Sequence, residues 1–296
     1  MKSVLTHGLC AAAAIAGILA TGFDSQAQIV AVNSGSLGPI GNGVHLVDTG
    51  FTTDDPLLAP GGVAAVYSSS FATGSRTEVP FLTQLNPAAS APFTVELWVN
   101  PSVSSNDSCP LFNRESSDPR SGWIFFQRPN GTGWNFAMYN GTSTQRGWDL
   151  TGGSSALDTW HHLVAVWDGS AATLYYNGAN TNAVNNPNGA VVYNPNIGPD
   201  PDDRLSVGRY GDGSEGTRFN GGIDEVAFYN VALTPAQIAA HYDTATNSLV
   251  PGAYSSMVVA DGALEYLQNT ELIPEPGSAA LLGLAGCFVA SRRRRS

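Results

Sequence analysis

Short segments with alternating apolar and polar positions recur through the middle of the chain. In residues 93–99, Val95, Leu97 and Val99 share one face of a predicted strand, while Glu96 and Trp98 lie on the other. Residues 162–167 are apolar on both faces, which is typical of a central strand in a two-layer core. Further strands are predicted at residues 123–127, 134–139, 172–176, 205–209 and 223–229. The pattern predicts an all-β sandwich or barrel.

Only residues 234–242 have a helical pattern within this middle part. Thr234 is predicted as the N-cap and Pro235 as the first helical residue, where its missing N–H costs nothing. The 33 glycines and 18 prolines, together with abundant Asn and Ser, indicate many turns between short strands. The expected fold is therefore mostly β, with one short helix near the end.

The N-terminal segment has the composition of an export signal. Lys2 precedes an apolar run at residues 9–20, and Ser25-Gln26-Ala27 offers a small-x-small cleavage site. Residues 1–27 are therefore interpreted as a secretory signal peptide, which is removed before folding.

The C-terminal segment, residues 273–296, has three parts in a specific order. Pro274-Glu275-Pro276 is followed by an apolar block at residues 278–290 and by Arg292, Arg293, Arg294 and Arg295. The block is shorter than the roughly 17 to 25 residues that cross a bilayer, and the arginines suit the cytoplasmic side. This order resembles the PEP-CTERM sorting signal of exported bacterial proteins. The resemblance implies transient inner-membrane association and a processing protease at Pro-Glu-Pro; the alternatives are an ordinary C-terminal anchor or a buried helix.

The charge of the chain excludes some partners. The chain has 13 basic and 24 acidic residues, and loss of both ends would leave 8 and 23, a net charge near −15. Such a surface repels nucleic acid and anionic lipid and favours cation binding. Cys109 would be the only cysteine left, so no intramolecular disulfide could form, and it is expected to be a small buried residue.

Five segments resemble the LamG-like domains of the concanavalin A-like lectin/glucanase superfamily. They are FTVELWVNP (93–101), TWHHLVAVWDG (159–169), LYYNGA (174–179), LSVGRYGDG (205–213) and FNGGIDEVAFYNVALTPAQIAAHY (219–242). The resemblance implies a jelly roll of two packed antiparallel sheets, assigned to residues 28–247.

The beginning of the domain departs from the family pattern. The strand with which family members usually open is missing after the signal peptide, but residues 257–267 resemble it. Residues 248–272 are thus expected either to supply a late strand that fills the vacant edge position or to form a loose stalk.

Asp224 is the strongest candidate for a metal ligand. It is expected to share a strand face with Val226 and Phe228 and so to be drawn inward, where a carboxylate needs a cation or several donors. In related jelly rolls the corresponding acid often helps to hold Ca²⁺. One structural Ca²⁺ is therefore predicted, with Asp212 and Asp202 as co-ligands. The alternative is a hydrogen-bonded Asp224 without metal.

Catalytic patterns are missing from the sequence. There is no Glu-x-Asp-x-x-Glu string of the superfamily's glycoside hydrolases, no Gly-x-Ser-x-Gly and no P-loop. His161 and His162 are adjacent and should face opposite sides of a strand, so a zinc site has no support. The chain is therefore predicted not to be an enzyme.

The tryptophans offer a binding surface instead. Trp98, Trp160 and Trp167 fit the core, whereas Trp148, beside Arg146, is the best candidate for an exposed ring that stacks on a sugar. The predicted function is an exported, non-catalytic protein of the cell envelope or extracellular matrix that binds glycan or another surface polymer. The alternatives are a purely structural or adhesive protein without a sugar site and a degenerate glucanase-like enzyme.

Overall fold

A computed structural model describes residues 29–33, 35–46, 49–52, 54, 56–57, 64–67, 76–104, 108–115, 119–142, 146–183, 193–195, 204–209, 218–250, 253–254, 257 and 264–271. The predicted signal peptide, the predicted sorting signal, Asp202 and Asp212 lie outside these residues. Among the helices in the described ranges, none is long and apolar enough to cross a membrane.

Sixteen strands and one α-helix account for most of the described residues. The strands are β1 Ile29–Asn33, β2 Gly43–His45, β3 Gly50–Thr52, β4 Ala64–Tyr67, β5 Thr77–Glu78, β6 Phe93–Pro101, β7 Leu111–Arg114, β8 Gly122–Gln127, β9 Trp134–Tyr139, β10 Arg146–Gly152, β11 His161–Trp167, β12 Ala172–Tyr176, β13 Ala179–Asn180, β14 Ser206–Val207, β15 Gly221–Tyr229 and β16 Leu264–Glu271. The helix is α1 Pro235–Asn247.

The strands form two antiparallel sheets that pack face to face. The first sheet runs β10-β9-β8-β7-β14-β5-β2-β1, and the second runs β15-β6-β11-β12-β13, with β4 and then β3 beside the start of β15. The interior cluster between the sheets contains Val95, Leu97 and Val99, as the alternation in β6 predicted. The predicted two-sheet antiparallel jelly-roll sandwich with one short helix is confirmed.

Helix α1 lies on the outer face of the second sheet. Its N-terminus has the predicted Thr234 cap, in a capping box with Gln237, and Pro235 in the first turn. The helix extends five residues beyond the predicted end at residue 242. Its buried residues Ile238 and Ala245 belong to an apolar cluster with Val164 and Tyr229 of the sheet.

The late segment contributes a strand, β16, which is paired on both sides. It pairs with β1 through Val30↔Glu271 and its neighbours, and with β15 through Ala227↔Leu267. The strand starts at Leu264, later than the predicted segment at residues 257–267, and it lies between two strands rather than at an edge. It therefore joins the first sheet to the second.

A β-bulge in β15 changes the predicted position of Asp224. Asp224 is opposite Trp98 of β6, but the next paired residue, Ala227, is opposite Glu96, and Glu225 between them has φ 47°. The extra residue reverses the alternation, so Val226 and Phe228 face the interior while Asp224 faces outward with Trp98. The expectation that the three side chains share a face is wrong for this reason.

Candidate functional site

The outer face of the second sheet is divided between a covered part and an open part. Helix α1 covers the part around Glu96 and Tyr229, and Tyr242 of the helix stacks on Trp98 with ring centroids 5.7 Å apart. Beyond Trp98, the ends of β6 and β15 reach a surface pocket at Asn100 and Gly222. Both parts contain polar side chains.

Under α1, Glu96 is fully buried and accepts hydrogen bonds on both carboxylate oxygens. His162 Nε2 lies 2.6 Å from one oxygen and His241 Nδ1 lies 2.9 Å from the other. The hydroxyls of Tyr254 and Tyr229 donate to the same carboxylate at 2.7 and 3.1 Å. The network connects β6, β11, β15, α1 and the turn that follows the helix.

Electrostatics keep this carboxylate charged. Burial alone would raise the pKa of Glu96, but the hydrogen bonds and attraction of His162 and His241 hold it below its usual value. Burial, followed by the nearby Glu96 charge, raises the pKa of Tyr254 well above its usual value. Glu96, His162 and His241 are all inaccessible to solvent, so a substrate cannot reach them. The network instead anchors α1 to the second sheet through its hydrogen bonds.

The pocket, named here the rim pocket, has a volume of about 220 Å³. It is lined by Thr52, Asp54, Asn100, Ser102, Asp158, Trp160, Gly221 and Gly222. The residues come from the end of β3, the end of β6, the turn before β11 and the start of β15. The volume is below the roughly 300 to 1,000 Å³ of pockets for drug-sized ligands, so it suits a single ring or another small group.

Two glycines allow the walls of the rim pocket to pack closely. A Cβ atom on Gly222 would lie 2.8 Å from Cη2 of Trp160, so the ring packs directly against the backbone of β15. Gly221 has φ 140°, and a Cβ there would collide with the carbonyl oxygen of Asn100. Larger residues at these positions would displace the Trp160 ring or separate β15 from β6.

The rim pocket combines an aromatic ring with polar groups. Trp160 is partly buried, while Asp54, Ser102 and Asp158 are exposed. Asp158 is held in place by its backbone N–H, which donates to Pro101 O at 2.9 Å. A ring face beside several hydrogen-bonding groups can contact a small polar ligand through both its apolar and its polar atoms.

Sequence reasoning placed the binding site elsewhere, at Trp148 and Arg146. A register shift between Arg146 and Trp148 in β10 places them on opposite faces. Trp148 packs against the interior cluster, edge-on to Trp167 with ring centroids 6.0 Å apart. The two side chains therefore do not face one site.

Arg146 lies on the outer face of the first sheet in a polar cluster. Its guanidinium donates to Asn135 Oδ1 at 3.2 Å and to Asp149 Oδ1 at 3.1 Å, and it lies 5.1 Å from the ring centroid of Phe126. Its side chain is 25% exposed. Arg146 is thus accessible at an edge, with some of its donors already engaged.

The structure does not test the predicted Ca²⁺ site at Asp224. Asp224 is 8% exposed, and its carboxylate accepts a hydrogen bond from Glu225 N at 2.9 Å. Within the described ranges, no group of three or more His, Cys, Asp or Glu side chains could hold a metal ion. The proposed co-ligands Asp202 and Asp212 lie outside those ranges.

His161 and His162 lie on opposite faces of β11, as the sequence predicted. His161 contacts Tyr176 Oη at 2.9 Å and Ala156 O at 2.8 Å, whereas His162 contacts Glu96 on the other face.

The rim pocket was not predicted from the sequence. Its one local signal was Asp158-Thr159-Trp160, directly before a buried strand, but Trp160 was assigned to the core.

Several solved structures resemble this chain at low sequence identity. Domain 4 of an extracellular arabinanase from Geobacillus stearothermophilus, solved with arabinotriose, is 19% identical over 74% of this chain and 100% of that domain, with a TM-score of 0.47. A putative carbohydrate binding protein from Bacteroides ovatus is 15% identical over 70% of this chain and 50% of that one, with a TM-score of 0.44. The binding domain of botulinum neurotoxin serotype G is 14% identical over 73% of this chain and 50% of that one, with a TM-score of 0.49.

These structural likenesses are distant, and the chain spans about half the length of the second and third proteins. No curated protein matches the sequence. A family model described as the concanavalin A-like lectin/glucanases superfamily matches residues 72–239, which is more than half of the chain. The match includes β6, β11 and β15, which contain Glu96, His162 and Tyr229 of the buried network, and six of the eight residues that line the rim pocket. His241 and Tyr254 lie beyond the matched residues. The chain is a member of the concanavalin A-like lectin/glucanase superfamily.

Proposed function

We propose that this protein is an exported, non-catalytic binding protein whose rim pocket holds a sugar unit of a glycan or of another surface polymer. The observation that carries the proposal is the rim pocket itself, in which the Trp160 ring lies beside Asn100, Asp54 and Asp158. Membership of the superfamily raises the expectation of sugar binding, but a fold alone does not determine a ligand. The proposal therefore depends on the chemistry of the pocket.

That chemistry suits a sugar ring. One face of a pyranose presents C–H groups, which can pack on an indole ring, while its hydroxyls both donate and accept hydrogen bonds. Asp54 and Asp158 offer acceptors, Asn100 and Ser102 offer donors and acceptors, and all four side chains line the same pocket. The pocket holds a single unit, so a polymer would bind weakly at one site and more tightly through several copies.

The environments of the carboxylates in the rim pocket and in the buried network support a non-catalytic role. Retaining glycosidases need two carboxyl groups about 5 to 5.5 Å apart, one of them kept protonated by an apolar environment. Asp54 and Asp158 are both exposed, whereas the fully buried Glu96 is inaccessible to any polymer. Turnover of a chromogenic polysaccharide would instead favour the degenerate-enzyme alternative.

Export and surface localisation belong to the same proposal. The sequence features at residues 1–27 and 273–296 support secretion, transient retention in the inner membrane and cleavage near Pro274-Glu275-Pro276 by a sorting protease. The released domain would then reside in the envelope or the extracellular matrix. Mass spectrometry of the mature protein from cell fractions tests this proposal, because an intact cytoplasmic chain would contradict it.

The central experiment is a glycan array probed with the mature domain, with and without Ca²⁺, followed by titration of the best ligand. We expect Trp160→Ala to weaken binding by roughly 5- to 150-fold, if loss of the ring costs about 1 to 3 kcal/mol as it does where nucleic-acid bases stack on aromatic side chains. Ser102→Ala, which removes an exposed hydrogen-bonding group of the pocket lining, is a second pocket variant that should also weaken binding, in case Trp160→Ala fails to fold.

Arg146→Ala is the matched control, because Arg146 belongs to the site that the sequence favoured. If Arg146→Ala abolishes binding while Trp160→Ala does not, the rim pocket is the wrong site. Repeated absence of any glycan would favour a purely structural or adhesive protein.

A structural Ca²⁺ at Asp224, with Asp212 and Asp202 as further ligands, remains part of the proposal. Asp224 lies on the outer face of the second sheet and is largely buried, and a carboxylate in this position is compatible with an ion that loop oxygens complete. Ca²⁺ should raise the melting temperature of an EDTA-treated sample, and Asp224→Asn should remove the increase. An unchanged melting temperature in calorimetry would contradict the metal.

A further inference from the structure

The charge of the rim pocket restricts the kind of sugar that it can hold. Asp54 and Asp158 both line the pocket, and among its described lining residues none is basic. Neither carboxylate forms an ion pair within the part of the chain that the structure describes. The pocket therefore presents two uncompensated negative charges to a ligand.

The remainder of the molecule strengthens this field. The chain has 24 acidic against 13 basic residues, and four of the basic ones, Arg292 to Arg295, lie in the terminal segment. A concave site lined by one sign of charge concentrates ions of the opposite sign and repels those of its own. Uronic acids, sulfated sugars and phosphorylated sugars are all repelled here.

The Trp160 ring also favours cationic and neutral ligands over acidic ones. Trp160 packs against Gly222, and both residues line the pocket together with Asp158. An indole ring face attracts a cation through its quadrupole and packs on the C–H face of a neutral sugar. A protonated amine in the pocket would contact both an attractive ring and a carboxylate.

We propose that the rim pocket selects neutral and amine-bearing sugars and rejects acidic ones. This inference rests on the proposed sugar-binding function and specifies its ligand class. It predicts an order of affinity, with amino sugars first, neutral sugars second and acidic sugars last.

Isothermal titration of the mature domain with three oligosaccharide probes tests the order. The probes are chitosan oligomers, their N-acetylated counterparts and oligogalacturonate, each at low and at high salt. We expect oligogalacturonate to bind at least tenfold more weakly than the N-acetylated probe. The preference for the amine should shrink at high salt, because exposed charges are screened.

The double variant Asp54→Asn/Asp158→Asn should lose most of its preference for the amine over the neutral probe, with only the attraction of the Trp160 ring remaining. Asp243→Asn, which neutralises an exposed carboxylate on α1, is the matched control and should keep the preference. Equal binding of acidic and neutral probes, or an undiminished preference in the double variant, overturns the charge selection while leaving sugar binding intact. If no probe and no array glycan binds, both the inference and the proposed function are overturned.

Discussion

Glu96 shows how a single buried charge can hold an element in place. A carboxylate removed from water is costly unless donors surround it, and here two histidines and two tyrosines supply them. Tyr254 also accepts a hydrogen bond from Trp98 Nε1 at 3.3 Å. The carboxylate therefore organises the contact between α1 and the second sheet.

Replacing Glu96 by Gln should destabilise the domain by about 3 to 5 kcal/mol, because an amide cannot accept on both atoms and the ring N–H groups lose partners. Urea unfolding followed by tryptophan fluorescence measures the change. Asp243→Asn on the exposed face of α1 is the control, with an expected effect within about 0.5 kcal/mol. A Glu96→Gln variant as stable as the wild type would show that the network contributes little.

At the scale of elements, two irregular strands decide which side chains meet. The bulge in β15 and the register shift in β10 each reverse the alternation of faces. Asp224 thereby leaves the interior, and Trp148 separates from Arg146. Strand β16 determines how the two sheets are connected, because it pairs with β1 at the end of the first sheet and with β15 of the second.

Truncation tests the contribution of β16. A chain that ends after Ala263 lacks β16 and leaves the edges of β1 and β15 unpaired, so it should melt roughly 5 to 10 °C lower and aggregate more readily. A chain that ends after Leu272 keeps β16 and is the control, with an unchanged melting temperature. Equal melting temperatures for the two chains would indicate a stalk that contributes nothing to the sheet.

At the scale of the whole molecule, acid should reduce the stability of the folded protein over two successive pH ranges. Burial lowers the pKa of His45 from 6.5 to about 4, and His45 Nδ1 lies 2.6 Å from Thr77 Oγ1. Between these two pH values the unfolded chain binds a proton at His45 that the folded chain does not bind. Stability therefore falls as the pH decreases from 6.5 to 4.

Glu96 extends the loss to lower pH. Its pKa in the folded protein lies below the ordinary value of 4.5, so its stabilisation is present above pH 4.5 and is lost as the pH falls further.

The contribution of His45 can be measured separately. We expect the free energy of unfolding to decrease by about 3 kcal/mol between pH 6.5 and 4 because of His45. Urea midpoints measured across this range check the value, and His45→Asn should flatten the decrease. A wild-type stability that stays constant from pH 6.5 to 4 would contradict the assignment.

The features that depend on local periodicity could be predicted from the sequence alone. The alternation in β6, the two buried faces of β11 and the Thr234 cap of α1 are set by residues within one strand or one turn. Two-sided burial in β11 also implied the two-layer arrangement. The order of the blocks then identified the family, because it reflects the whole succession of strands.

Which distant residues share a site depends on the packing of the elements in three dimensions. The partners of Glu96 lie 66 to 158 residues away, and Trp160 meets Gly222 across more than sixty residues. Bulges also change the face of a side chain without any signal in the period-two pattern. A buried glutamate appears isolated in its own strand, and a core-like tryptophan becomes a pocket wall, because packing between elements, rather than local sequence, determines what surrounds each of them.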